Sequence, residues 1–126
     1  MTRLDHLMLP VRDWRASRDF YVACLGFTVE FELPQGGPTG LGVAAMQDDG
    51  GLTVFLEQQA APVAAGAGSH TLQVDDVEDF HERLAGAGVA FLSPPTRQFW
   101  GYGATLADPD GHIFHIYDER SMREKG

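Results

Sequence analysis

Cysteine occurs once, at Cys24, which excludes an internal disulfide framework and a CxxC zinc site. Positive charge is scarce: nine Lys and Arg face eighteen Asp and Glu, a formal charge of −9 with histidine neutral. That balance repels phosphate backbones and anionic lipid, so it argues against nucleic acid and membrane surfaces as partners. No apolar run approaches the roughly 18 residues of a membrane span. The opening residues, Met1 to His6, lack the apolar stretch of a secretory signal. These absences point to a soluble, cytoplasmic domain. Charged residues reach 21% without forming a long single-sign block, which argues against disorder. What is present is enough for a core: 44% apolar and 10% aromatic residues in a chain of 126.

Leu4 to Val11 alternates as a strand, and Asp13 is placed to cap a helix over 14–25. Trp14, Ser17, Tyr21 and Cys24 recur along that helix at helical spacing, and Gly26 ends it. Strands follow at Phe27–Leu33, Leu41–Met46 and Leu52–Glu57. Residues 59–68 carry Pro, Gly and small residues without periodicity and read as a linker. The pattern then restarts. Thr71–Val74 is a strand, Asp76 caps a second helix, and Val89–Leu92 is a strand broken by Pro94-Pro95. Ala104–Ala107 and Ile113–Tyr117 flank the turn Asp108-Pro109-Asp110-Gly111. The polar tail from Glu119 is expected to cap the fold loosely.

The restart is an internal repeat. Leu9-x-Val11-x-Asp13 returns as Leu72-x-Val74-x-Asp76, an offset of 63 residues. The chain therefore reads as one domain of two modules, 1–58 and 69–118, joined by the linker 59–68. Neither module can cover its own sheet, so the two are expected to pair around a shared core.

This organisation resembles the vicinal oxygen chelate superfamily, which holds glyoxalase I, extradiol dioxygenases and the fosfomycin- and bleomycin-resistance proteins. The resemblance rests on Leu4 to Asp13, Asp19-Phe20-Tyr21 with Leu25-Gly26-Phe27, Val74 to Val77, and Asp108 to Gly111, in that order over residues 3–118. It implies an α+β fold of two βαβββ modules whose eight strands curl into an open barrel or cup with flanking helices. It also implies a homodimer that binds a small molecule.

Relatives carry metal ligands on the first, fourth, fifth and eighth strands. The resemblance places His6, Glu57 and His115 at three of these positions, with Ser69 at the fifth-strand position. Two imidazoles and a carboxylate suit a divalent transition metal such as Zn, Ni, Mn or Fe, with open positions for adjacent substrate oxygens. His70 lies one residue from Ser69, and without a bulge it shares the helix-facing side with Leu72 and Val74. Phe55, Ser69, Trp100 and Tyr102 are the candidate substrate contacts, the aromatics for stacking on a flat ligand.

Two functions stay open. In one, a metal held by His6, Glu57 and His115 acts as Lewis acid in a lyase or isomerase, with Glu57 and His115 as the catalytic pair. In the other, the cup is metal-free and holds a small molecule or antibiotic without chemistry.

Overall fold

Capping by aspartate starts each helix in the computed structural model, which describes residues 1–61, 63–64 and 68–126. After strand β1 (His6–Val11), the extended Asp13 accepts the N–H groups of Arg15 at 3.0 Å and Ala16 at 3.2 Å through Oδ1. Two donors that a helix start leaves unpaired are thereby satisfied. Helix α1 (Trp14–Ala23) follows, with Trp14, Ser17 and Tyr21 as its buried stripe. Gly26 takes a positive φ of 72° and turns the chain toward β2 (Thr28–Leu33), β3 (Val43–Gln47) and β4 (Thr53–Gln58).

These strands form one sheet in the order β1-β4-β3-β2, with β1 and β4 parallel and the other pairs antiparallel. Helix α1 lies against β2, β3 and β4. Leu9, Val11, Ala44, Met46 and Leu56 are buried together with Trp14 and Tyr21.

Gly42 is where this packing is tightest. Its φ is +126°, and a Cβ there would lie 2.2 Å from Trp14 Nε1. Gly42→Ala combines backbone strain with a collision against a buried ring, so it should cost about 2 kcal/mol. Urea unfolding should show a lower midpoint at unchanged slope. An unchanged midpoint would mean that the indole is free to move aside.

The chain divides into two units, Met1–Ala64 and Ala65–Gly126. The expected linker 59–68 lies partly outside the described residues. The second unit contains β5 (Ser69–Gln73), α2 (Val77–Gly86), β6 (Phe91–Gln98), β7 (Gly101–Ala107), β8 (Ile113–Tyr117) and α3 (Glu119–Lys125). Its sheet runs β5-β8-β7-β6, again with the first pair parallel. Asp76 caps α2 through the N–H of Asp79 at 3.0 Å, and Val77, Phe80 and Leu84 form the buried stripe. Two four-stranded mixed sheets and three helices make the chain α+β. Among the described residues, no helix is long and apolar enough to cross a membrane.

Two expectations change. Pro94-Pro95 does not end β6, which runs on to Gln98 with irregular register between Ser93 and Thr96. β6 is an edge strand, where missing N–H donors and a bulge are tolerated. The tail is a capped helix rather than a loose end. Asp118 accepts the N–H of Ser121 at 2.6 Å through Oδ1, and the N–H of Val77 at 2.7 Å through Oδ2.

Candidate functional site

The face of the first sheet turned away from α1 is built in rows across the strands. His6 stands opposite Thr53, and Thr53 opposite Gln47. The next row is Met8, Phe55, Ala45 and Phe31, and the third is Pro10, Glu57, Val43 and Leu33. At the His6 end of these rows lies a pocket of about 580 Å³, bounded by His6, Phe31, Phe55, Thr53, Glu30 and the hairpin glycines Gly50 and Gly51. The His6 ring stacks on Phe55 with centroids 4.4 Å apart and planes 18° apart. Phe31 meets Phe55 edge-on at 5.8 Å. His6 Nδ1 is 2.9 Å from Asp5 Oδ2.

Glu30 reaches this pocket through a bulge. The register of β2 on β3 slips between Val29 and Phe31, leaving Glu30 as the extra residue. Strict alternation would put Glu30 on the same face as Glu32, which turns to the helix side and pairs with Arg18 at 2.9 Å. The bulge re-aims Glu30, and Thr53 Oγ1 donates to its Oε2 at 2.7 Å. Sequence periodicity alone therefore missed Glu30.

His6 and Glu57 share a face but not a level. Glu57 stands opposite Pro10, four residues along β1 from His6, or about 13 Å at the usual strand rise. The Phe55 ring occupies the ground between them, against His6. Among the described residues of either unit, no group of three or more His, Cys, Asp and Glu side chains is arranged to hold a metal ion. The residues of the first unit do not fit a metal shared by His6 and Glu57.

In the second unit His115 stands opposite Thr71 on one side and Thr105 on the other. Its Nδ1 is 3.0 Å from Thr105 Oγ1, and its ring lies 4.9 Å from Trp100. Gln98 orders this group. Its Nε2 donates to the Gly103 carbonyl at 3.0 Å, so Oε1 is left to accept from Trp100 Nε1 at 3.2 Å and Thr105 Oγ1 at 3.3 Å. A hydroxyl has one proton to donate. Thr105 Oγ1 can spend that proton on Gln98 Oε1 at 3.3 Å or on His115 Nδ1 at 3.0 Å.

Ser69 is exposed and opposite Ile113, while the next residue, His70, falls in the row of Phe114 with rings 5.1 Å apart. Burial lowers the His70 pKa, and His112 adds to this while Asp108 opposes it. Tyr102 is not beside Trp100 and His115. Period two sets it on the opposite face of β7 from Thr105, where its hydroxyl donates to Glu78 and Lys125 Nζ sits 4.9 Å over its ring. The Glu78 hydrogen bond, with burial, pushes its phenol up to about 12. Tyr102 thus ties β7 to α2 and α3 rather than facing a ligand with Trp100.

Cross-strand register also aligns the two units residue by residue. His6 pairs with Thr53 and Ser69 with Ile113, so Phe55 is the counterpart of His115, and Glu57 is the counterpart of Tyr117.

The family model for the glyoxalase/bleomycin resistance protein/dioxygenase superfamily matches residues 3–116. No curated protein matches the chain. Among solved structures, a member of that superfamily from Sphaerobacter thermophilus DSM 20745 is 25% identical, with 94% of this chain and 98% of that one covered and a TM-score of 0.76. The superfamily domain from Frankia sp. EAN1pec is 23% identical, with coverage of 94% and 92% and a TM-score of 0.75. TioX from Micromonospora sp. ML1 is 23% identical, with coverage of 90% and 97% and a TM-score of 0.67. The last two likenesses speak for the fold alone. The βαβββ order seen twice, and a family model matched over nearly the whole length, lead to one conclusion: the chain belongs to the glyoxalase/bleomycin resistance protein/dioxygenase superfamily.

Proposed function

We propose that this chain is a small-molecule-binding protein that holds a flat organic ligand in the pocket beside His6 and Phe55, without a metal shared by His6 and Glu57. The observation that carries this reading is the stacked His6–Phe55 pair, with Phe31 edge-on, in a pocket of ligand size. Stacked rings offer a further π-face to a planar guest, a contact worth about 1 kcal/mol beyond area burial. Within the second unit itself, Ser69, Trp100 and His115 are proposed small-molecule contacts, Trp100 lying against the His115 ring. A homodimer is part of the proposal, since β2 is an edge strand with Val29, Phe31 and Leu33 exposed along it.

Metal analysis and ligand titration test it together. Protein purified from metal-replete medium should carry far less than one equivalent of Zn, Ni, Mn or Fe. Phe55→Ala should weaken the binding of a neutral flat probe, benzamide, by about tenfold. Stoichiometric metal that disappears in both His6→Ala and Glu57→Ala would overturn this reading.

A second reading, a metal-dependent lyase or isomerase, draws on one observation, the Thr105 contact that engages His115 through Nδ1 and leaves Nε2 outside that hydrogen bond. In that case His115 is the donor or proton carrier, and its loss removes turnover while the fold remains.

A further inference from the structure

Glu30 is one of three charged residues lining the pocket, with Arg3 and Asp5, and the one that the β2 bulge delivers to it. Three observations converge on it. The bulge in β2 turns its side chain onto the aromatic face, apart from Glu32, which Arg18 neutralises on the helix side. Thr53 Oγ1 holds Oε2 at 2.7 Å, while Oε1 has no partner among the described residues. Its neighbours in the pocket are Phe31, Phe55 and His6; Arg3 and Asp5 also line it, Asp5 Oδ2 lying 2.9 Å from His6 Nδ1, and among the described residues no ion pair joins Arg3 to Glu30. A carboxylate fixed by one oxygen beside a stacking surface, with the other oxygen open, is arranged to receive an N–H donor from a ring that stacks there. A charged donor makes the stronger bond.

We propose that Glu30 is the specificity-determining residue of this pocket, and that it selects flat aromatic cations, of the amidinium or protonated-heterocycle type, over neutral or anionic molecules of the same shape. The ring lies against Phe55 and Phe31, and its cationic nitrogen donates to Glu30 Oε1. Thr53 is a positioning residue that keeps the carboxylate in place. The inference rests on the pocket reading above and adds the charge class of the ligand.

Isothermal titration of the full chain with benzamidine, benzamide and benzoate separates the two. Benzamidine should bind about tenfold more tightly than benzamide, with benzoate weakest. Glu30→Gln should bring benzamidine to within about twofold of benzamide and leave benzamide itself unchanged. Thr53→Val should reduce the benzamidine advantage in part. Glu32→Gln removes one charge from the same strand on the other face, and should keep the full advantage. A preference that survives Glu30→Gln, or that falls equally in Glu32→Gln, overturns the role of Glu30 while leaving the pocket intact. If none of the three probes binds or shifts the amide resonances of Gly50 and Gly51, the pocket reading fails and this inference with it.

Discussion

Gly103→Ala should lower stability by about 3 kcal/mol, and the melting temperature by about 10 °C. A Cβ at Gly103 would lie 2.1 Å from the Ile116 carbonyl oxygen and 2.6 Å from Trp100 Cη2. The first collision is with the backbone of a paired strand, which cannot rotate away as a side chain does. The second is with the ring that leans on His115. Relief requires β7 and β8 to separate locally and the indole to lift. Thermal unfolding followed by tryptophan fluorescence should therefore show both a lower midpoint and an altered native-state spectrum. Gly86→Ala is the matched control, because no atom lies within 4 Å of its added Cβ and the site is helical. It should be neutral or stabilising by up to about 1 kcal/mol. Equal midpoints for the two variants would show that β7 has room the structure does not record.

The same glycine explains part of the second unit that periodicity could not reach. β7 begins at Gly101, three residues before the expected Ala104, because glycines carry no hydrophobic signal. The signals that did read true are local ones. Asp13 and Asp76 cap helices because a short carboxylate before an amphipathic run has nearby N–H groups to satisfy. Parity set His70 on the side of Leu72 and Val74, and in the structure it stands opposite Phe114 with no register slip between β5 and β8. Parity also put Glu57 on the same face as His6, but parity carries no information about level. The level is set by cross-strand pairing, and loop length hides it. His6 to Thr53 spans 47 positions, whereas Ser69 to Ile113 spans 44, so the repeat offset measured on the first strands does not carry over to the last ones. Glu30 was hidden for a related reason, since one extra residue in β2 reverses every assignment of face beyond it.

The tail holds the second large effect. Asp118 is only 2% exposed, yet it stays a carboxylate that serves two helices. It accepts the N–H and hydroxyl of Ser121 in α3, and the N–H of Val77 at the start of α2. Burial alone would raise its pKa. The N–H groups of Ser121 and Val77 oppose this, and with the Ser121 hydroxyl and the charge of Arg120 they hold it below the ordinary carboxylate value. Asp118→Ala removes the acceptor from three donors in a buried site and should cost about 3 kcal/mol at neutral pH. Asp118→Asn keeps the shape and one acceptor oxygen but loses the charge, and should cost about half as much. The pH dependence separates charge from shape. A carboxyl whose folded pKa is depressed stabilises the fold above its unfolded value of about 3.9, and that contribution is lost as pH falls through the lower folded value. The gap between the wild-type chain and Asp118→Asn should therefore be constant above about pH 5 and close as the pH drops below about 4. Denaturant unfolding of both proteins across that range reads it directly. A gap that persists unchanged into acid would mean that Asp118 acts through shape and neutral hydrogen bonds, and that its charge does not couple α2 to α3.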